Sequence, residues 1–515
     1  MRPSTSLTRQ TSPHYAKALI LYLLFFVLLW TVLTSISHKA PDLDGMEELV
    51  WASSFELGYI KHPPFPSWIM YGLTQLLGRP VWLSFFAGML ASAAGLVFLW
   101  LLAREFLSPR LSFLVVLLAS VNIYFSLRGT IFNHNTAQLW SIMASIWFFY
   151  RACRDQRLSD WAWLGVVAGF ALMTKYSAVI QFAAFFLYLL ASGLWRHGRT
   201  WQGMLVATIT LGITFSPHLY WLHSNDYAPF LYMDKSLAAP TRWQAYSALL
   251  SFTLDQLARL SPMIIAVGAL YYCYRRDLRQ KGHHVSDNNV NYGAQIHSRE
   301  KQFLLWVGLS PFLSTVLIAA LLGSHLDASW ATTFFVLYSF YFLFAIKGAE
   351  PLQTKRLLVI VLIMQILMAT GYALARGPLA WETGRKSRST FPGPEIASQM
   401  QAVWRQHVPA TPLRIVASDT WLGGNIAINT SPDAQVYIDA QLAQSPWLRD
   451  ADLQCGILVV FSRQTRGEPA ASLLQLYEQT HWKGLEQLHW SSANSPILDL
   501  NWGIIPPSPS CEAAR

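Results

Sequence analysis

Long apolar runs separated by short polar joints fill the first 375 positions of the chain. Eleven such runs can be read, at about 16–37, 81–103, 110–127, 136–152, 161–174, 178–195, 202–222, 245–274, 302–323, 328–346 and 357–375. Most are roughly 15–25 residues long, the length of a helix that crosses a bilayer. The fifth is short, and the eighth is long enough to begin as an interfacial helix carrying Asp255 and Arg259. Beyond 375 the pattern changes. Short apolar runs at Arg414–Ser418 and Cys455–Phe461 predict buried strands, and Glu395–His407 and Ala470–Gln479 predict helices. The pattern predicts a membrane all-α bundle over 1–375 and an α/β domain over 376–515. No internal repeat is visible.

Composition agrees with the pattern. The chain is 53% hydrophobic and 13% charged, with mean hydropathy +0.30. Its net charge of +10 is scattered over short loops, which argues for membrane topology and against nucleic acid as a partner. The first run follows Arg2, Arg9 and Lys17. It exceeds a signal h-region and lacks a small-residue cleavage site, so an uncleaved anchor is expected. Lys and Arg balance best with the N-terminus in the cytoplasm of a bacterial inner membrane. Five loops then face the periplasm: Asp42–Trp68, Arg128–Asn135, Lys175–Tyr176, His218–Arg242 and His325–Trp330. The polar segment Arg275–Lys301 falls on the cytoplasmic side and is expected to be disordered. A monomer is expected.

Asp42–Trp68 is the most patterned of these loops and lies within the first periplasmic segment, 38–80. Met46, Val50 and Leu57 recur at helical spacing, which predicts a helix lying flat on the bilayer surface. Asp42, Asp44, Glu47 and Glu48 open that helix, and His62-Pro63-Pro64 turns the chain back towards the membrane. Asp44 has two readings. As a carboxylate base it would activate an acceptor; as the start of Asp-x-x-Glu it would cap the helix.

This segment resembles the first periplasmic loop of the GT-C glycosyltransferases, a group that includes the protein O-mannosyltransferases and the bacterial aminoarabinose and galacturonic acid transferases of lipid A and core lipopolysaccharide. Their loop commonly reads Asp-Glu-Ala-x-Tyr-Trp and then Gly-Tyr-x-x-His-Pro-Pro. Here it reads Asp44-Gly45-Met46-Glu47-Glu48, then Gly58-Tyr59-Ile60-Lys61-His62-Pro63-Pro64. The resemblance implies Asp44 as catalytic carboxylate, with Glu47 or Glu48 replacing the acid that Gly45 lacks. It also implies His62 and Tyr59 near the phosphate of a polyprenyl-phosphate sugar donor. Relatives carry an acidic Pro-Asp motif before the fourth span; this chain has Phe132-Asn133-His134-Asn135-Thr136 there. Asn135 and His134 are thus substrate-side candidates, and Asn135 is equally a cap for a helix from Thr136.

Lys175-Tyr176 matches similar Thr-Lys-Tyr segments of the family. Lys175 pairs there with a lipid phosphate or snorkels to the interface. Tyr176 and His218 complete the substrate-binding candidates, although His218 also reads as a satisfied interface histidine. No P-loop, GxSxG, zincin or nucleotide-sugar Asp-x-Asp motif is present. No cofactor is evident, divalent-metal use stays open, and no metal ligands are spaced as a set. The expected activity is transfer of a hexosyl or pentosyl unit from a polyprenyl-phosphate carrier to lipid A, core lipopolysaccharide or another envelope acceptor. The alternative is a transporter or flippase of a polar lipid; a phosphoethanolamine transferase would need a large soluble metal domain. Cys455 and Cys511 fall on the oxidising side and could pair, whereas Cys153 and Cys273 should remain thiols.

Overall fold

The computed structural model describes residues 13–237, 241–280, 298–345, 350–509 and 511. Helices α1 (Pro13–Ser37), α2 (Leu43–Trp51), α3 (Phe65–Leu77) and α4 (Val81–Phe106) come first, followed by α5 (Pro109–Ser120), α6 (His134–Asp155) and α7 (Leu158–Thr174). Then come α8 (Ala178–Ser192), α9 (Gly198–Ser224), α10 (Ala228–Leu237), α11 (Arg242–Gln280), α12 (Ser298–Leu322), α13 (Tyr338–Ala345) and α14 (Glu350–Arg376). Five helical stretches among the described residues are long and apolar enough to cross a membrane: those of α1, α4, α9, α12 and the segment Thr354–Glu382, most of it α14. Each of the other six expected runs contains helix, but of shorter length or lower apolarity.

Two runs end early for local reasons. The expected 110–127 stops at Ser120, where the Asn122 side chain accepts the Tyr124 amide at 3.1 Å and the Ile123 amide donates to the Arg259 carbonyl at 3.2 Å. The expected 328–346 is broken. Asp327 accepts the Ser329 amide at 2.7 Å and starts a 3₁₀ turn, so regular helix returns only at Tyr338. The expected disordered loop Arg275–Lys301 lies largely outside the described residues.

Close contact holds the bundle. A Cβ on Gly165 of α7 would fall 2.1 Å from the Ala207 carbonyl of α9, so only glycine lets these helices meet. A buried polar knot joins α1, α5 and α14: Trp30 Nε1 donates to Gln365 Oε1 at 2.8 Å, and Gln365 Nε2 donates to the Ser120 carbonyl at 3.0 Å. With its polar groups satisfied in apolar surroundings, the knot fixes the register of three helices.

The tail forms one mixed sheet of β1 (Ile415–Ser418), β2 (Gln435–Ile438), β3 (Ile457–Phe461), β4 (Trp482–His489) and β5 (Ile497–Ile505) in the order β2-β1-β3-β5-β4. The β1 pairings are parallel, with Val416 between Val436 and Leu458; β5 runs antiparallel to β3 and β4. Helices α15 (Gly393–His407) and α16 (Thr420–Thr430) pack together and α17 (Ala471–Glu478) flanks β3. Cys455 and Cys511 are joined by a disulfide, and Cys153 and Cys273 are thiols.

The helix in the first loop exists, but it does not lie open on a bilayer surface. Met46, Leu49 and Val50 of α2 are fully buried, and the tail domain covers them. A Cβ on Gly424 of α16 would meet Met46 Sδ at 2.5 Å and Val50 Cγ2 at 2.9 Å. The apolar period that would have faced lipid is spent on protein. Around this seam, Arg79 Nη2 donates to the Pro432 and Ala434 carbonyls at 2.6 Å, and Arg388 pairs with Asp42 at 2.5 Å.

Candidate active site

Asp42, not Asp44, caps α2: its Oδ1 accepts the Leu43 amide at 2.8 Å. Asp44 is thereby left in the exposed first turn, where its Oδ2 accepts from Asn133 Nδ2 at 2.8 Å. Asn133 has a second task. Its Oδ1 caps α6 by accepting the Asn135 and Thr136 amides, both at 3.0 Å. The cap expected at Asn135 therefore sits two residues earlier, which frees the Asn135 side chain. Asn135 Oδ1 accepts from Lys175 Nζ at 2.5 Å, and the ammonium lies 5.6 Å from the Trp330 ring centre.

Burial lowers the Lys175 pKa from 10.5 to about 8, against the opposing pull of Asp327 and Asp44. The carboxylate and the ammonium thus share one electrostatic cluster. Asp327 adds two further cations to it. Burial pushes its carboxyl up, but the Ser329 hydrogen bonds and the charges of Arg128 and Arg259 outweigh that and leave its pKa low. Asn133, Arg128, Asp327 and Arg259 were not among the site residues expected from the sequence. For Asn133 the signal was present, as an Asn ahead of a helix start, but two asparagines competed for it.

The other acids sit deeper. Glu47 ion-pairs with Lys61; burial raises its pKa and Lys61 draws it back. Glu48 is almost wholly buried and accepts from Ser67 Oγ at 2.7 Å. Its other oxygen lies 3.1 Å from His134 Nδ1, while His134 Nε2 faces the Pro63 carbonyl at 3.2 Å. A carbonyl only accepts, so Nε2 carries hydrogen and a neutral ring turns its lone pair towards Glu48. Burial, together with the charges of Glu47 and Asp44, raises the Glu48 pKa well above the carboxylate range. One proton is therefore held between Glu48 and His134, and the pair braces the His-Pro-Pro corner.

The expected contacts of Tyr59, His134, His218 and Tyr176 are corrected on geometry, and that of His62 is revised by its surroundings. Tyr59 donates its hydroxyl to the Trp51 carbonyl at 3.0 Å and stacks on that ring, so it has no proton for a phosphate. His134 is buried behind Glu48 and the corner. His218 is fully buried, with Nδ1 donating to the Leu57 carbonyl at 2.8 Å, and its Nε2 accepts the Tyr176 hydroxyl at 2.7 Å. Tyr176 thereby spends its proton on His218. His62 packs 4.1 Å from the His134 ring; burial, then His134, Lys175 and Lys61, hold its pKa well below 6.5. Those surroundings disfavour the charged ring, so at the donor phosphate implied by the resemblance His62 would serve as a hydrogen-bond donor and not as a cation.

Beside this cluster a cavity of about 600 Å³ separates the first loop from the tail domain. Glu47, Tyr59 and Lys61 line one wall, Trp221 another, and Thr420 and Gln444 the roof. Glu47 is three residues on from Asp44, so the cavity opens one helical turn from the exposed carboxylate. No group of three metal-ligating side chains comes together among the described residues.

Residues 61–221 match the family described as dolichyl-phosphate-mannose-protein mannosyltransferase. The chain is 24% identical over 433 residues to the lipopolysaccharide core galacturonosyltransferase RgtA of Rhizobium johnstonii, covering 81% of each. Against RgtB of the same organism, named for the same activity, identity is 24% over 412 residues, covering 78% of this chain and 79% of RgtB. The crystal structure of ArnT from Cupriavidus metallidurans bound to undecaprenyl phosphate superposes with a TM-score of 0.61 at 11% identity, covering 95% of this chain and 98% of ArnT. At that identity the likeness is one of fold, the bundle and tail domain together.

Proposed function

We propose that this chain, a membrane glycosyltransferase of the GT-C type, moves a hexosyl or pentosyl unit from a polyprenyl-phosphate carrier to a lipopolysaccharide acceptor, with Asp44 as base and Lys175 at the donor phosphate. The observation that carries this reading is the first turn of α6. Asn133 holds the Asp44 carboxylate, and Asn135 holds the Lys175 ammonium. One rigid helix start thereby spaces a proton acceptor and a cation, as a displacement at an anomeric carbon requires. The acceptor oxygen attacks that carbon and gives its proton to Asp44. The bond from the carbon to the phosphate oxygen breaks, its electron pair goes to the phosphate, and Lys175 meets the developing charge. Asp327, the other exposed carboxylate of the cluster, is tied to Ser329 and to the charges of Arg128 and Arg259, so Asp44 acts alone and one displacement with inversion follows.

The names of the relatives make galacturonic acid the first donor sugar to test and lipopolysaccharide core the first acceptor. Undecaprenyl phosphate is the first carrier, because ArnT of this fold is described bound to it. In this reading the chain is a monomer of eleven spans, with site and tail domain periplasmic and no cofactor required. The test is Asp44→Asn in protein reconstituted with polyprenyl-phosphate galacturonate and core lipopolysaccharide. Expression and insertion should stay near normal while transfer falls by about 10²–10⁴, the usual share of a general base. Full turnover by that variant would remove Asp44 from the chemistry.

A further inference from the structure

The tail domain carries a second hollow, of about 540 Å³, that the transfer chemistry does not use. It opens where β1, β2 and β3 end. Asp419 follows β1, Asp439 follows β2 and Ser462 follows β3, and all three line it. Chain order makes this a switch point, because β1 leads outward to β2 on one side while β3 lies on its other side. Connections that part in opposite directions leave a crevice at the carboxyl ends of the strands, where open α/β sheets bind ligands.

The crevice is furnished for hydroxyl groups. Asp419 is 8% exposed; its Oδ1 accepts the Trp421 and Leu422 amides, and its Oδ2 has no hydrogen-bond partner among the described residues. Asp439 is also 8% exposed. Arg466 Nη1 reaches its Oδ2 at 3.3 Å, a loose contact that leaves both groups capacity for another partner. Phe461 supplies an apolar wall at the strand end. Two acceptor carboxylates and a guanidinium with spare N–H groups, beside an apolar edge at Phe461, fit the vicinal hydroxyls and C–H groups of a sugar ring. Three acids, Asp419, Asp439 and Glu468, against the one cation Arg466 in the lining favour a neutral sugar over an anionic one.

We propose that this crevice is a subsite for a neutral, multiply hydroxylated sugar unit of the acceptor glycan, held beside the transfer site by the tail domain. The inference rests on the glycosyltransferase reading for the word acceptor. Placement supports it. Thr420 and Ile438, next in the chain to Asp419 and Asp439, line the cavity above Glu47 and Lys61, and the charge of Arg466 is felt by both of those residues. Sequence-adjacent residues thus line the two hollows, which places the crevice within reach of a glycan seated at the transfer site.

The test is saturation-transfer NMR on the full chain in detergent, with methyl β-D-galactoside, methyl α-D-mannoside and sodium galacturonate as probes. At least one neutral glycoside should receive saturation more strongly than galacturonate. Its signal should fall at least fivefold in Asp439→Asn, in Arg466→Gln and in Ala470→Trp, which fills the crevice from its rim without removing a charge. Asp44→Asn should leave the signal unchanged, which separates this proposal from the catalytic one. Thermal midpoints matched to the parent chain certify each variant as folded. Equal signal in the parent and in folded Ala470→Trp would overturn the subsite, as would a preference for galacturonate. If the subsite exists, Ala470→Trp also raises the acceptor KM while leaving the donor KM unchanged. A normal acceptor KM alongside lost saturation would overturn the acceptor assignment alone.

Discussion

Asn133 joins two functions that a pair of substitutions can separate. Its Oδ1 caps α6, and its Nδ2 donates to Asp44. Asn133→Ala removes both, whereas Asn133→Ser keeps an oxygen that can cap, on a side chain too short to carry a donor to Asp44. A lost cap costs about 1 kcal/mol. A lost hydrogen bond to a charged group costs about 1.5–3 kcal/mol. If Asn133 aims Asp44 at the acceptor, most of that second loss falls on the transition state. At about 1.4 kcal/mol per tenfold, kcat then drops roughly 10- to 100-fold. The assay pairs transfer by reconstituted protein with thermal unfolding in detergent. Asn133→Ser should keep its midpoint within about 2 °C of the parent and lose kcat, and Asn133→Ala should lose both. A serine variant with normal kcat would show that Asp44 needs no orientation from α6, and the spacing argument would fail with it.

Lys175→Ala should raise the donor KM and leave the acceptor KM in place, because a charge-assisted phosphate contact is lost; an effect confined to the acceptor would move Lys175 to the other substrate. With its pKa lowered to about 8, Lys175 is a cation below that value, so donor affinity should weaken as pH rises through 8, and a donor affinity flat from pH 7 to 9 would contradict this. Lys61→Met leaves Glu47 buried without its partner and should cost about 1–3 kcal/mol, discounted for partial exposure of the pair. The Glu47 carboxyl, already raised, should rise further. The folded variant then holds a proton that the unfolded chain releases, so its stability should fall as pH climbs above the ordinary carboxylate range; Glu47→Gln added to Lys61→Met should recover most of the loss in a thermal scan. Cys511→Ser should abolish a reduction-dependent mobility shift, and the tie across 56 positions is worth up to about 4 kcal/mol to the tail domain. A reporter fused after Arg515 should be active only in a periplasm-requiring form.

Periodicity made the helical stretches legible because a bilayer demands long uniform runs. It failed where side chains turn on their own backbone, at Asn122 and at Asp327. In the tail, β1 and β3 stood out because they are buried on both faces, whereas β4 alternates half-buried and exposed positions at the sheet edge and lacks a solid apolar core. The site was legible as a segment more than as a geometry. Asp44 and Lys175 sit in motifs, but their holders Asn133 and Asn135 reach them across 89 and 40 positions. Tyr59, Tyr176 and His218 have the chemistry of ligands, and only three-dimensional placement shows that their protons and lone pairs are already committed. The helix of the first loop misled for a related reason. Apolar spacing states that a face will be buried and leaves open whether lipid or protein buries it.

The cover that the tail places on α2 also sets a clock on the birth of the enzyme. Met46 and Val50 leave the ribosome early, whereas Gly424, which packs on them, follows about 375 positions later. Membrane insertion can proceed helix by helix, but the first loop waits uncovered for the chain to be almost finished. Assembly of the site is therefore tied to completion of translation. A truncated product carries the acids, the lysine and every expected span, yet lacks the roof of the cavity. Such a fragment should insert yet show no transfer, and measurable turnover by a chain ended after Arg376 would refute the need for the roof.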